Sequence, residues 1–84
     1  MLEEIGESID VVAAFNAGKI MPMLFSWKHR RYYNLKVASM WSEKEGGARL
    51  VHMMVTTDNP NQYELCFNTQ SFKWILVKVY HEGY

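Results

Sequence analysis

The sequence is divided into short apolar runs by clusters of turn-forming residues, and this spacing constrains the fold more than any other feature. The runs occupy residues 8–15, 20–27, 31–42, 48–57, 62–68 and 72–80, and the connections between them have only three to five residues. Connections of that length join antiparallel neighbours, whereas parallel neighbours need a crossover of about a dozen residues or more. The spacing therefore predicts an antiparallel meander of about six strands.

Alternation of side chains within the runs supports this interpretation. Tyr63, Leu65 and Phe67 fall on one side of their run, opposite Glu64 and Cys66. A period of two is the signature of a strand. The last run is apolar on both sides, and a flat sheet would leave one of those sides in water. We therefore expect an all-β domain whose sheet is strongly curved or forms a small barrel.

The length of 84 residues allows a single small domain, which we place at residues 8–84. Residues 1–7 are predicted to form a tail or a short helical turn. Glu3, Glu4 and Glu7 suit the first turn of a helix, while Gly6 opposes a longer one. This acidic start is the reverse of a secretory signal, and no apolar run reaches the roughly 18 residues that span a bilayer. We therefore expect a cytoplasmic protein that does not enter a membrane.

The residues that carry chemistry are few and scattered. Cys66 is the only cysteine, so no internal disulfide forms, and its apolar neighbours favour a small packed residue over a reactive thiol. His29, His52 and His81 are far apart and show no metal-ligand spacing. No nucleophile or phosphate-loop motif is present. The prediction is a non-enzymatic protein without metal or cofactor.

Charge is distributed unevenly although its sum is zero. Residues 1–10 contain four acids and no base, whereas residues 11–42 contain five bases and no acid. Within residues 27–33 a run of cationic residues is flanked by aromatic rings, Trp27 before it and Tyr32 and Tyr33 after it. Cations neutralise phosphates and exposed rings stack on bases, so this mixture suits nucleic acid. The candidate binding surface consists of Lys19, Lys28, His29, Arg30, Arg31, Tyr32 and Lys36.

Other interpretations of this segment and of the whole chain remain open. Residues 28–31 also fit an ordinary solvated hairpin or a protein-contact surface. Tyr32 and Tyr33 lie on opposite sides of the strand, so one of them is expected to point outward. The surplus of apolar residues also fits a homo-oligomer, since exposed apolar patches mark interaction sites. A ligand-binding or catalytic barrel would require a buried polar pocket that holds His52 or His81.

A linear pattern of aromatic and turn residues runs through most of the chain. It comprises a glycine turn and a proline within 15–22, Phe-x-Trp at 25–27, Arg-x-Tyr at 31–33, Trp41, Tyr-x-Leu at 63–65 and Trp-x-Leu at 74–76. The pattern resembles a family of small bacterial β-domains of unknown function, related to domains at the C-terminal end of some Y-family polymerase-like proteins. The resemblance implies a small accessory or interaction module associated with DNA, and it carries over no catalytic residues.

Overall fold

The computed structural model describes residues 1–82, which form seven strands and no helix. The strands are β1 (Leu2–Asn16), β2 (Lys19–Trp27), β3 (Arg30–Tyr32), β4 (Lys36–Glu45), β5 (Ala48–Thr56), β6 (Gln62–Asn68) and β7 (Trp74–Tyr80). They form one antiparallel sheet, which confirms the predicted all-β class. Residues 83 and 84, the end of the predicted domain, lie outside the described part. Within residues 1–82, no helix has the length and apolar character that would let it cross a membrane.

The strand order is β3-β2-β1-β7-β6-β5-β4. Strands that follow one another in the chain are thus paired, with one exception: within residues 1–82, β3 and β4 are not paired and form the two edges of the sheet. In addition, the first strand, β1, pairs with the last, β7. Although β2 and β4 lie near opposite ends of this order, they are in contact. The sheet is therefore strongly curved but not closed, and its opening lies between two strands that follow one another in the chain.

Strand β1 is shared between two partners. Its residues 2–9 pair with β7, and its residues 10–16 pair with β2. The predicted tail or helical turn at residues 1–7 is wrong, because β1 begins at Leu2 and continues through a bulge between Glu4 and Glu7. Gly6 supplies the positive φ of 66° within this bulge, so it shapes the strand rather than ending it. The backbone N–H and C=O groups of residues 2–9 find their hydrogen-bonding partners in β7, which is remote in the sequence.

The predicted third strand, residues 31–42, is also wrong in one respect, since it is two strands. A corner at residues 33–35 separates β3 from β4. Asn34 adopts a left-handed conformation there, with φ of 56°, which asparagine tolerates better than most residues. Its Nδ2 donates a hydrogen bond to Oδ2 of Asp58 at 3.0 Å. This corner raises the number of strands from the predicted six to seven.

The core lies on the inner, concave side of the curved sheet. The largest side chains that are fully enclosed are Phe25, Met53, Leu65, Leu76, Val55 and Val79. Aromatic contacts connect the two halves of the sheet, because the Phe25 ring stacks on Tyr32 at 4.6 Å and meets the edge of Tyr63 at 5.4 Å. The alternation predicted for β6 is confirmed, with Tyr63, Leu65 and Phe67 in this core. These three side chains therefore form the inner face of β6.

Candidate functional site

Strand β4 is the most exposed regular element of the described structure. All ten of its residues are exposed, although they lie in a strand that is hydrogen-bonded to β5. The apolar side chains Val37, Met40 and Trp41 are 41%, 46% and 37% exposed. Within residues 1–82, β5 is the only strand with which β4 pairs, so no strand is hydrogen-bonded along its other edge, although part of β4 contacts β2. Such an edge is a template for pairing with another strand.

The pairing with β5 determines which face each β4 side chain occupies. Met40 lies opposite Met53, a core residue, and Trp41 lies opposite His52. Residues that oppose each other in an antiparallel pair share a face. The register shifts between Val37 and Ser39, which leaves Ala38 as the extra residue of a bulge. The inner face of β4 therefore carries Val37, Met40, Ser42 and Lys44, and the outer face carries Lys36, Ser39, Trp41, Glu43 and Glu45.

Beside β4, the outer face of the sheet contains a buried polar cluster. His52 Nδ1 lies 3.1 Å from Oε2 of Glu64, and His52 Nε2 lies 3.8 Å from Sγ of Cys66. All three residues are buried. The Trp41 ring covers the imidazole in a parallel stack, with 5.4 Å between ring centres. This cluster joins β5 to β6 and extends to β4 through the tryptophan.

The chemistry of this cluster favours a structural role. Carboxylate, imidazole and thiol follow each other in the order of a base-activated nucleophile. Burial, followed by the charges of Glu64 and Glu43, raises the pKa of the Cys66 thiol. The neutral thiol, which is a poor nucleophile, is thereby favoured. Cys66 is a buried free cysteine, as predicted. In residues 1–82 no three potential ligands are grouped so that they could hold a metal ion.

The three histidines do not come together. His29 lies in the β2–β3 turn, His52 in β5, and His81 follows β7. His81 Nε2 lies 2.8 Å from Oε1 of Glu3 in a solvent-exposed pair. The contact of His52 with Glu64 and Cys66 is not evident from the sequence. Their residue types are visible in the sequence, but the contact depends on the register between β5 and β6.

The predicted basic surface is centred on a tight hairpin turn. Lys28 and His29 both have positive φ, 52° and 62°, as a two-residue turn between twisted strands requires. Lys28 Nζ lies 4.9 Å from the centre of the Trp27 ring, and Arg30 Cζ lies 5.5 Å from that of Tyr32. The exposed side chains are Lys28, His29, Arg30 and Arg31. The hairpin thus presents several cations to solvent.

The remaining predicted residues lie elsewhere or have other contacts. Tyr32 is half-buried and packs against Phe25 and Tyr63, so it belongs to the core boundary. Burial raises its pKa, with a further contribution from Tyr63. Tyr33 is 49% exposed, which confirms that one tyrosine of the pair points outward. Lys19 begins β2, about 25 Å along that strand from the hairpin, and Lys36 begins β4.

Acidic residues lie close to the hairpin and weaken its positive field. Trp27 Nε1 donates a hydrogen bond to Oε1 of Glu7 at 2.9 Å. Asp10 lines a groove of about 340 Å³ together with Lys28 and His29. The hairpin is therefore a mixed-charge surface and not a uniformly cationic one.

An open aromatic cleft lies at the other end of the sheet. Phe15, Phe67, Phe72 and Trp74 line a cavity of about 400 Å³. Phe72 is 74% exposed and has φ of 60°, an unusual conformation for a bulky residue. Its ring stacks on Phe67 at 5.8 Å, and its amide donates to the carbonyl oxygen of Asn68 at 2.7 Å. The cleft adds to the apolar surface that the fold leaves uncovered.

Comparison of the chain with known protein families, with curated proteins and with solved structures gave no match. The resemblance to small bacterial β-domains stays a prediction that rests on the aromatic and turn motifs.

Proposed function

We propose that the chain is a non-enzymatic interaction module whose edge strand β4 takes up a strand of a partner protein. The exposure of all ten β4 residues on both faces carries this proposal. A bound strand would pair with the open backbone of β4, and its side chains would cover the apolar positions beside it. Strand addition of this kind combines main-chain hydrogen bonds with side-chain selectivity.

The character of the two edges supports β4 as the binding edge. Proteins protect free edges by making them short, or by placing proline and charged residues along them. Strand β3 is short, with three residues, and contains Arg30 and Arg31. Strand β4 has ten residues and no proline, and its charges lie at the ends, since residues 37–42 are uncharged. Apart from the bulge at Ala38, the centre of β4 lacks the features that prevent pairing.

Photo-crosslinking in cells tests this proposal. A photo-reactive amino acid in place of Ser42 lies on the open edge, whereas the same amino acid in place of Lys19 lies at an exposed turn far from β4. We expect a discrete protein adduct from position 42 and none from position 19. The substitution Met40→Lys should abolish the adduct from position 42. Equal adducts at both positions, or none at position 42, would contradict the proposal.

Nucleic acid is a second candidate partner, favoured by the exposed side chains of the β2–β3 hairpin. Lys28, Arg30 and Arg31 would contact phosphates, while the exposed ring of Tyr33 would stack on a base. The test is a titration of single-stranded and duplex DNA at low and high salt. Weakening by Arg31→Glu but not by Lys19→Glu would support it. Absence of binding at low salt, where phosphate contacts are strongest, would exclude it.

A further inference from the structure

We propose that the strand that β4 takes up is β4 of a second copy, related to the first by a two-fold axis through the centre of the strand. This inference rests on the proposed function of β4 as a binding edge. It is carried by the arrangement of charges and apolar residues along the strand, which is complementary to itself.

Symmetry limits the ways in which two β4 strands can pair. A two-fold axis perpendicular to the sheet keeps each face on its own side, and opposed residues of an antiparallel pair share a face. The residue on the axis therefore opposes its own copy. Two apolar residues of the uncharged segment 37–42 could lie on the axis near the middle of the strand. They are Met40, on the inner face, and Trp41, on the outer face.

With the axis at Met40, the bulge at Ala38 brings Lys36 opposite Glu43 of the second copy. Val37 then lies opposite Ser42 of the second copy, and all these pairs share a face. With the axis at Trp41, Lys36 lies opposite Glu45 of the second copy instead. Either register thus pairs a lysine with a glutamate, and symmetry makes each pair occur twice.

The same arrangement covers the apolar residues of the edge. Val37, Met40 and Trp41 are exposed in one copy and would lie in the middle of the paired strands. The charged residues would lie at both ends. An apolar centre with a polar rim is the usual composition of a protein interface. The short, cationic edge strand β3 offers no comparable self-complementary segment.

Sedimentation equilibrium over a wide concentration range tests the inference. We expect a monomer–dimer equilibrium for the full chain. Lys36→Glu turns two attractive cross-strand pairs into repulsive ones, and it should raise the dimer dissociation constant about tenfold. Lys19→Glu makes the same change of net charge at the far end of β2 and should leave that constant unchanged. Equal effects of the two variants would contradict the inference.

A charge exchange identifies the register. Lys36→Glu combined with Glu43→Lys should restore dimerisation if the axis lies at Met40, and Lys36→Glu with Glu45→Lys should restore it if the axis lies at Trp41. Because Glu43 Oε2 lies 3.7 Å from His52 Nε2, circular dichroism should first show that the first double variant is folded. If both double variants fold and neither restores the dimer, the inference is wrong.

The failure of this inference can be distinguished from failure of the proposed function. A chain that stays monomeric at the highest concentration, while position 42 crosslinks to other proteins, overturns the second copy as partner and leaves strand addition intact. An adduct of twice the chain mass supports the second copy. Absence of any adduct, together with a monomer, overturns both.

Discussion

Strands β4 and β6 belong to the same sheet and both carry large apolar side chains, but they differ strongly in exposure. Residues 63–67 of β6 are all buried, and they include the carboxylate of Glu64. All ten residues of β4 are exposed, and they include the indole of Trp41. Only β5 lies between the two strands. Position in the sheet therefore contributes to what these strands bury, in addition to the hydrophobicity of their residues.

The physical reason is the number of neighbouring strands. Strand β6 pairs with β5 on one side and β7 on the other, so its outer-face residues are enclosed by neighbours from both. Glu64 is buried there together with its hydrogen-bonding partner His52. In the part of the chain that the structure describes, strand β4 pairs with β5 alone. Its apolar residues are half uncovered on both faces, which leaves them available to another strand.

The largest expected effect is a truncation in the centre of β6. Leu65 is fully buried, so Leu65→Ala removes packed side-chain atoms and leaves a cavity. We expect a loss of about 3 kcal/mol in the free energy of unfolding. Urea denaturation measures it. A loss of about 0.5 kcal/mol or less, the range of ordinary surface substitutions, would show that β6 is less enclosed than described.

The buried pair of His52 and Glu64 should produce the next largest effect. Either Glu64→Ala or His52→Ala leaves the other polar group without its hydrogen-bonding partner. The double variant removes both, so its cost should be smaller than the sum of the two single costs. We expect a coupling of about 1–2 kcal/mol in a double-mutant cycle of unfolding free energies. Strictly additive costs would contradict the contact.

A smaller effect, visible in the pH dependence of stability, is expected from Cys66. Burial raises the pKa of its thiol in the folded chain, so the unfolded chain loses this proton at lower pH. The unfolding free energy should therefore fall as pH rises above the ordinary thiol pKa of about 8.5 and on through the folded pKa. Cys66→Ala should remove this slope. Tyr32, whose pKa is also raised, titrates at higher pH, so the measurement stays below pH of about 9.5.

The smallest effect should come from β4 itself. Met40→Ala matches the truncation of Leu65 but removes atoms from a half-exposed side chain on the edge. We expect a change in unfolding free energy of about 0.5 kcal/mol or less, measured on the monomer at low concentration. A cost similar to that of Leu65→Ala would mean that β4 is packed as tightly as β6, and the contrast between the two strands would fail.

Much of the fold could be predicted from local sequence signals. Turn residues such as Gly18 and Gly46 have positive φ at the ends of hairpins, and alternation in residues 62–68 correctly separated core from outer-face side chains. Local signals failed where the partner is remote or where a single residue bends the chain. Residues 2–7 form a strand because β7 pairs with them, and Asn34 divides what looks like one strand into two.

The candidate site was less predictable, for a related reason. The cations of residues 28–31 are adjacent in sequence, so their proximity required no knowledge of the fold. The open edge at β4 depends on the order of all seven strands, and above all on the pairing of β1 with β7, which leaves β4 with one neighbour. The contact between His52 and Cys66 depends on the register of β5 and β6. Neither can be predicted from residue types alone.

The pairing of β1 with β7 also has a consequence for the order of folding events. Residues 2–9 pair with residues 74–80, which are synthesised 65 or more positions later, since Ile9 pairs with Trp74. The hairpins of the described strands can form locally before then, whereas residues 2–9 cannot pair with β7 until β7 has been synthesised. Closing so long a loop is slow because chain entropy is lost before the contact forms. Completion of the sheet at β1 and β7 should therefore limit the folding rate of this chain.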